Sequence, residues 1–220
     1  MNGWRHGRGV SYHLRVSRAT PAWRPREPAA YAYLLGVYLG DGWITVKSKR
    51  AASLVFTLDA GYPGIVEAVI LALDAVFPGV PATRHGRMRG SVTAVQLSDP
   101  ALAHAFPQHG RGRKHLRTIE LTPWQRKVTH AQPQHLLRGL IHSDGCRCVN
   151  RFETTLPSGR RVRYEYPRHF FSNLSEDIRD IFCEHCDMLG VRWTQSSARN
   201  ISVANRAGVA TLDQFVGPKR

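Results

Sequence analysis

The sequence predicts an α+β protein made of two similar halves, each with the order helix, hairpin, helix, hairpin, helix. The first observation behind this prediction is a repeated segment, since residues 34–42 (LLGVYLGDG) and 137–145 (LRGLIHSDG) are versions of one another. The second is that similar strand and helix patterns follow both copies. The copies lie about 100 residues apart, the length of a small folded unit. We therefore divide the chain into a basic N-terminal arm (1–27), a first half (28–106), a basic linker (107–132) and a second half (133–220).

Each repeated segment is predicted to be a helix with small residues on one face. Gly36 and Gly40 in the first copy, and Gly139 and Ser143 in the second, are spaced four residues apart. An interior glycine costs a helix roughly 1 kcal/mol relative to alanine, so close contact with a second helix is the expected compensation. We expect the two helices to pack against each other along these faces.

The ends of these helices are marked by proline and glycine. Pro28 and Pro133 lie near the two starts, where proline is tolerated. Gly42 and Gly145 follow the two ends, where a left-handed glycine would close each helix.

Asp41 and Asp144 are the last residues before these glycines. They are predicted to stand where the two helices meet, although the helix dipole disfavours a carboxylate there and the two charges repel. A hard divalent cation such as Mg²⁺ would relieve both penalties. The alternative is two ordinary Asp-Gly turns after core helices, but the matched pair at domain spacing favours a metal site.

The remaining elements are predicted from hydrophobic periodicity. In the first half we expect strands at 43–47, 53–58, 82–87 and 91–97, with a helix from Ile65 to Phe77 between the two hairpins. In the second half we expect strands at 146–152, 162–172, 191–195 and 200–203, a helix at 175–189 and a last short helix at 209–215.

The repeated segments match the motif of a known family. The matching residues are Leu34, Gly36, Asp41 and Gly42 in the first copy and Leu137, Gly139, Leu140, Ile141, Asp144 and Gly145 in the second. Over most of residues 28–220 the chain resembles the LAGLIDADG homing endonucleases in their single-chain form. The resemblance implies a DNA-binding saddle with the motif helices at the interface between the halves. It also implies a sequence-specific endonuclease that cuts both DNA strands across the minor groove.

The same resemblance implies the site residues. Asp41 and Asp144 would bind the catalytic metal, Mg²⁺ or Mn²⁺, and the metal site would include their neighbours Gly40 and Ser143. An earlier acid of the motif is absent here, because Leu39 and His142 stand in its place.

Two lysines are further catalytic candidates. Lys114 and Lys219 lie in basic segments after Phe106 and Phe215, at nearly equal distances along the chain from the two aspartates. A cation near a scissile phosphate can stabilise developing charge or position water. The resemblance implies this role for both, while the alternative is a basic linker and a basic tail.

The chain is strongly basic. It has 31 Lys and Arg against 16 Asp and Glu, a net charge of +15 and a pI near 10.5, which favours a polyanionic partner. Arginines in or beside the predicted strands would face double-stranded DNA from the open side of each sheet, or would be solvated surface charges. These are Arg84, Arg87, Arg89, Arg147, Arg151, Arg161 and Arg163.

Four cysteines form the pairs Cys146-x-Cys148 and Cys183-x-x-Cys186. Their number suits a zinc site. However, one pair falls in a predicted strand and the other in a predicted helix, whereas structural zinc sites use turns. We interpret them as reduced thiols.

The sequence also limits the alternatives. It contains no apolar run of membrane-spanning length and no N-terminal apolar signal, so we expect a cytoplasmic, DNA-associated protein. The family resemblance implies that it acts as a monomer and recognises a long target site. One competing function is a non-cleaving transcriptional regulator with the same fold, and another is RNA binding, as in intron maturases. The paired aspartates and lysines favour the nuclease, and the strands are predicted to offer few aromatic platforms for RNA.

Overall fold

The structure is a computed structural model that describes residues 23–48 and 51–219. Residues 1–22 of the predicted arm therefore lie outside the described residues. The helices and strands are α1 (Pro28–Asp41), β1 (Gly42–Ser48), β2 (Ala51–Asp59), α2 (Pro63–Val76), β3 (Thr83–Arg87), β4 (Val92–Ser98), α3 (Leu102–Ala105), α4 (Pro123–Ala131), α5 (Pro133–Asp144), β5 (Gly145–Thr155), β6 (Arg161–Ser172), α6 (Glu176–Met188), β7 (Thr194–Gln195), β8 (Asn200–Val203) and α7 (Arg206–Asp213).

The two halves repeat one topology. Each half forms an antiparallel four-stranded sheet, with strand order β1-β2-β4-β3 in the first and β5-β6-β8-β7 in the second. The element order αββαββα occurs in both halves, which confirms the predicted α+β class. We call the first sheet with its helices lobe 1 and the second lobe 2.

Helices cover one face of each sheet. In β2, Leu54, Phe56 and Leu58 are buried in the core, while the alternating Ser53 and Thr57 lie on the opposite, open face. In lobe 2 the ring of Phe171 stacks on Phe182 of α6 at 4.5 Å between centroids. The apolar residues of β2 and β6 therefore hold the helices in place and leave the other face of each sheet open.

Helices α1 and α5 cross in direct backbone contact. A Cβ at Gly36 would overlap the carbonyl oxygen of Leu136 and lie 2.9 Å from the Cα of Gly139. A Cβ at Gly139 would overlap the carbonyl oxygen of Tyr33. The expected close approach is thus present, and it requires glycine on both helices. Residues 31–39 of α1 are buried throughout, because the helix packs on its own lobe and on α5.

Gly42 and Gly145 do not close their helices in the left-handed conformation, so that expectation was wrong. Both are extended, with φ of −98° and −113°. They are constrained by space, because a Cβ at Gly42 would lie 2.8 Å from the Cα of Tyr38, and one at Gly145 would lie 2.7 Å from the Cα of Ile141. The chain passes directly from each helix into the first strand of its sheet.

The segment predicted as a basic linker contains an ordered helix, α4. Its N-terminus has a capping box between Thr122 and Gln125. The fully buried Gln125 side chain donates to the hydroxyl of Tyr31 at 2.8 Å and accepts from Gln108 at 2.6 Å. This network fixes the segment to α1.

Some element bounds differ from the prediction. β7 is reduced to two residues, because Val191 is buried in the core rather than paired in the sheet. α7 begins earlier than expected, since the Asn205 side chain caps it by accepting from the Gly208 amide at 2.7 Å. Among the described residues, no helix combines the length and apolar character needed to cross a bilayer.

Candidate active site

The two aspartates meet at the ends of the crossing helices. Asp41 ends α1 and Asp144 ends α5, as the sequence predicted. A Cβ at Gly40 would lie 2.8 Å from Oδ2 of Asp144 and would also overlap the Ser143 side chain. The absence of a side chain at position 40 therefore makes room for the carboxylate of the other lobe.

Both carboxyl groups are held in an unfavourable environment for charge. Burial, with the neighbouring Asp144, raises the pKa of Asp41 to about 6, while Lys114 and Lys219 act against this shift. Burial also raises the pKa of Asp144, and a hydrogen bond from Asn173 opposes that rise. The site thus concentrates two oxygen ligands whose charges the protein only partly compensates.

Asn173 is a site residue that the sequence analysis missed. Its Nδ2 donates to Oδ2 of Asp144 at 2.6 Å, and its Oδ1 accepts from the Ser175 amide at 2.8 Å. The sequence signal was present, because an asparagine two residues before a helix-capping serine is typical of a turn in which its side chain is fixed. The partner carboxylate could be identified only from the fold. Leu58 occupies the corresponding place beside Asp41, so the two aspartates are not equivalent.

Lys114 lies against the end of α1. Its Nζ donates to the carbonyl oxygens of Tyr38, Leu39 (3.0 Å) and Gly40 (3.1 Å). Burial lowers the pKa of Lys114 to about 8, and the two aspartates oppose that shift. A cation at this place complements the negative end of the helix dipole.

Lys219 has the same relation to α5. Its Nζ donates to the carbonyl oxygen of Ser143 at 3.4 Å, and burial lowers its pKa. The Ser143 hydroxyl is bonded within its own helix, to the carbonyl oxygens of Gly139 and Leu140 at 3.2 and 3.0 Å. The two lysines are thus placed by the pseudo-twofold arrangement, each beside the carbonyl that precedes an aspartate.

Two clefts open at these helix ends, and each combines the two lobes. One, of about 430 Å³, is lined by Asp144, Asn173 and Lys114. The other, of about 180 Å³, is lined by Asp41 and Lys219. Each cleft therefore contains the aspartate of one lobe and the lysine that follows the other lobe in the chain.

His142 lines the smaller cleft, next to Asp41 and Lys219. Its Nε2 donates to the carbonyl oxygen of Val216 at 2.9 Å, and its Nδ1 accepts from the Tyr33 hydroxyl at 3.0 Å. Burial lowers the pKa of His142 to about 4, so the ring is neutral at pH 7. This histidine joins α5 to α1 and to the C-terminal segment that carries Lys219.

The donor set suits a hard divalent cation. Among residues 23–48 and 51–219, no group of three or more His, Cys, Asp and Glu side chains gathers at one place, so the aspartates would supply only part of a coordination shell. Mg²⁺ and Mn²⁺ accept such sites, because waters and substrate phosphates complete their coordination. The carbonyl oxygens of Gly40 and Ser143 lie beside the carboxylates, but they already accept from Lys114 and Lys219.

The structure distributes the candidate DNA-contacting arginines over two faces. In an antiparallel pair, directly opposed residues share a face. Arg87 pairs with Val92 on the open face of lobe 1, whereas Arg84 pairs with Val95 on the helix-covered side. Arg89 lies in the turn between β3 and β4, and its side chain is outside the described part.

The lobe 2 arginines lie on the face that carries the buried Phe171. We had expected them on the open face. Arg147 contacts Asp213 of α7 through two bonds of 2.7 and 2.9 Å. The other ion pairs on this face are Arg151 with Glu165 at 3.1 Å and Arg161 with Glu153 at 2.8 Å, and Arg163 lies directly opposite Glu153. Residues an even number apart in one strand share a face, as Arg147 and Arg151 do in β5 and Arg161 and Arg163 do in β6. Such spacing does not tell which face a strand turns toward the helices.

The cysteines remain in their predicted elements. Cys146 and Cys148 lie in β5, while Cys183 and Cys186 are buried in α6. All four are free thiols.

No protein-family model matches the sequence, and no curated protein matches it either. Solved structures match it across most of its length. The LAGLIDADG meganuclease I-AabMI bound to uncleaved DNA has a TM-score of 0.53 at 12% identity, over 84% of this chain and 82% of its own. I-DmoI in complex with DNA and Mn has a TM-score of 0.54 at 16% identity, over 86% and 97%. I-SmaMI bound to cleaved DNA has a TM-score of 0.52 at 10% identity, over 87% and 83%.

These neighbours share the overall architecture of this chain, in which paired helices lie between two four-stranded sheets. The chain therefore has the two-lobed fold of the LAGLIDADG homing endonucleases.

Proposed function

We propose that this protein is a site-specific endonuclease that hydrolyses both strands of a DNA duplex and depends on a divalent metal. The observation that carries the proposal is the pair of clefts at the helix ends, each with one aspartate and one lysine. Two similar placements of an aspartate and a lysine, related by the pseudo-twofold axis, suit a substrate whose two strands are themselves related by a twofold axis.

The residues have distinct tasks in this proposal. Asp41 and Asp144 would hold the metal, together with the carbonyl oxygens of Gly40 and Ser143 if the lysines withdraw. A bound divalent cation supplies Lewis acidity, which activates water and neutralises charge on the phosphate. Lys114 and Lys219 would stabilise negative charge that develops on phosphate oxygens in the clefts.

The rest of the molecule supports a DNA substrate. A net charge of +15 attracts the phosphate backbone without regard to sequence, and the open sheet faces extend from the clefts. Structural neighbours are described as bound to DNA, and one of them contains Mn. Because both lobes belong to one chain, we propose that a monomer acts on the duplex and recognises a long site through both sheets.

The test is to incubate the purified protein with a randomised duplex library, with Mg²⁺ in one sample and Ca²⁺ in another. Both the cleaved ends and the bound fraction are sequenced. We expect Mg²⁺-dependent double-strand cuts at one long motif. The Asp41→Asn and Asp144→Asn variants are expected to lose double-strand cleavage while they still bind the motif.

Asp74→Asn is the matched control, because it makes the same change at an exposed position of α2. It is expected to cleave like the unchanged protein. Specific binding without any cut ends would instead support a DNA-binding regulator. Loss of both binding and cleavage in the Asp41 and Asp144 variants would assign these aspartates a structural role.

A further inference from the structure

The β5–β6 hairpin of lobe 2 has two chemically different faces. The face on the helix side carries the ion pairs of Arg151 with Glu165 and of Arg161 with Glu153. The open face carries, at the alternate positions, a cluster of aromatic rings that we call the aromatic patch: Phe152, Tyr164 and Tyr166. Most charged residues of this hairpin thus lie on one face, and the other face is largely apolar.

The aromatic patch is preorganised and accessible. Phe152 stacks on Tyr164, with 5.2 Å between centroids and 19° between planes, and meets Tyr166 edge-on at 6.2 Å. Asn150 fixes Tyr166 by donating to its hydroxyl at 2.9 Å. Even so, Phe152 and Tyr164 are 44% and 42% exposed. Large rings left this accessible, on a hairpin whose other face carries solvent-exposed ion pairs, indicate a contact surface.

The patch continues the surface of the candidate active site. It shares the open face of β5 with Cys146, which pairs across the hairpin with Phe170. Cys146 lines a cleft together with Lys219. A duplex that lies across the helix ends and follows lobe 2 therefore runs over the patch.

Lobe 1 offers different chemistry on the described part of its open face. Its open face carries a polar network, in which Gln96 donates to the Ser53 hydroxyl at 2.9 Å and Ser98 donates to the same hydroxyl at 3.3 Å. Trp43, at the start of β1, is the large exposed ring beside the cleft on this side. The two lobes are therefore suited to read different features of a duplex.

We propose that lobe 2 recognises thymine in the major groove by apolar contact of the aromatic patch with the C5-methyl group. This inference rests on the proposed action on duplex DNA. The methyl group is the feature by which thymine differs from the other bases in that groove, and a two-stranded ribbon fits the groove's width. The basic surface binds phosphates, which carry no sequence information. The patch would therefore contribute to discrimination between bases rather than to overall affinity.

The packing of the rings favours a duplex over single-stranded nucleic acid. Stacking on unpaired bases requires a free aromatic face. In the patch, Phe152 and Tyr164 each cover one face of the other ring, and Tyr166 meets Phe152 edge-on. The rings thus offer fewer free faces for base stacking, while their exposed apolar edges suit a methyl group.

The test compares two randomised duplex libraries that differ only in this methyl group, one synthesised with thymidine and the other with deoxyuridine. The full-length protein is incubated with each library in the presence of Ca²⁺, and the bound DNA is sequenced. We expect thymine preference in one half of the motif with the first library and loss of that preference with the second. Each contacted methyl group is expected to change affinity about fourfold.

Variants assign the effect to the patch. Phe152→Ser is expected to remove the thymine preference in the same half of the motif, with the first library. Val149→Ser is the matched control, since Val149 lies in the same strand, is 42% exposed and faces the other side. It is expected to leave the motif unchanged. The deoxyuridine comparison uses the unaltered chain, so it holds even if Phe152→Ser folds poorly.

The outcomes separate the two proposals. An identical motif from both libraries, with specific binding intact, would overturn the thymine inference and leave the proposed function standing. Enrichment only from a single-stranded DNA or RNA library would overturn both. Loss of preference in Val149→Ser to the same extent as in Phe152→Ser would also overturn the assignment to the patch.

Discussion

At the scale of single residues, the two aspartates have the same position in the repeat but different surroundings. Asp144 accepts a hydrogen bond from Asn173, whereas Asp41 has Leu58 at the corresponding place. Burial opposes the charged form of both, which is the state a metal ligand requires, and at Asp41 the neighbouring Asp144 adds to this effect. Keeping both carboxylates charged in this place therefore lowers the stability of the folded protein.

Asp41→Asn tests this cost. The pKa of Asp41 is raised to about 6 in the folded protein from 3.8, so the folded state binds the proton more tightly than the unfolded state. The charged form thus lowers stability above pH 6, and this deficit shrinks as the pH falls toward 4. We expect Asp41→Asn to raise the free energy of unfolding by about 1–2 kcal/mol at pH 7.5, after allowance for solvent screening.

The measurement is urea denaturation without divalent metal, repeated at pH 4, where the gain is expected to disappear. Asp74→Asn serves as the exposed control and is expected to show no such gain. Equal stabilities of Asp41→Asn and the unchanged protein at pH 7.5 would contradict the assigned burial of charge.

His142→Leu tests the structural role of the histidine that replaces a motif acid. The substitution leaves the Val216 carbonyl and the Tyr33 hydroxyl without their shared partner in a buried place. We expect a loss of about 2–4 kcal/mol in the free energy of unfolding at pH 7.5. His104→Leu, at an exposed position, is the control and is expected to change stability by less than about 0.5 kcal/mol.

The same histidine contributes to acid sensitivity. Its pKa is lowered to about 4 in the folded protein from 6.5, so the unfolded state binds the proton more tightly. Stability from this group is therefore lost as the pH falls from 6.5 toward 4. The His142→Leu variant is expected to lack this part of the pH dependence, and an unchanged profile would argue against a buried neutral ring.

At the scale of helices, the contact between α1 and α5 depends on two glycines that leave no room for a side chain. Alanine normally stabilises a helix interior relative to glycine by about 1 kcal/mol. Here that gain is outweighed, because the added carbon meets backbone rather than a flexible side chain. The position of both aspartates depends on this contact.

Gly36→Ala is expected to lower the free energy of unfolding by about 1–3 kcal/mol, through forced separation of the helices. Gly86→Ala is the matched control. No atom lies within 4 Å of a Cβ at Gly86 in β3, so we expect little change there. Urea denaturation of both variants is the measurement, and equal stability of Gly36→Ala and the unchanged protein would contradict the close crossing.

The strands illustrate the limit of pattern reading at this scale. An even spacing correctly predicts that Arg147 and Arg151 share one face of β5, and that Arg161 and Arg163 share one face of β6. It cannot predict which face meets the helices, because β5 and β6 carry large apolar or aromatic residues on both sides. The burial of Phe171 and the contact of Arg147 with Asp213 decide that question in the folded chain.

At the scale of the whole molecule, each cleft combines groups from both lobes. Lys114 shares a cleft with Asp144, and Lys219 shares one with Asp41. This pairing crosses the order of the sequence, in which Lys114 follows Asp41. It arises because each lysine contacts the helix end of its own lobe, and the two helix ends lie side by side.

The pairing leads to a strand-resolved prediction. On a target duplex labelled on both strands, Asp144→Asn and Lys114→Met are expected to slow the cut of one strand most strongly. Asp41→Asn and Lys219→Met are expected to slow the cut of the other strand. Denaturing electrophoresis of the two labelled strands over time is the measurement. If each lysine variant instead matched the aspartate variant of its own lobe, the assignment of the clefts would be wrong.

The sequence by itself determined the class of fold, the element order of both halves and the place of Asp41 and Asp144 at the helix ends. These follow from local information, because periodicity, small-residue spacing and repetition are written along the chain. The tertiary structure alone decided which groups surround each aspartate, as with Asn173, Leu58 and the crossed lysines. It also decided which face of the β5–β6 hairpin is open. Those features depend on contacts between residues far apart in the chain, and no local pattern specifies such contacts.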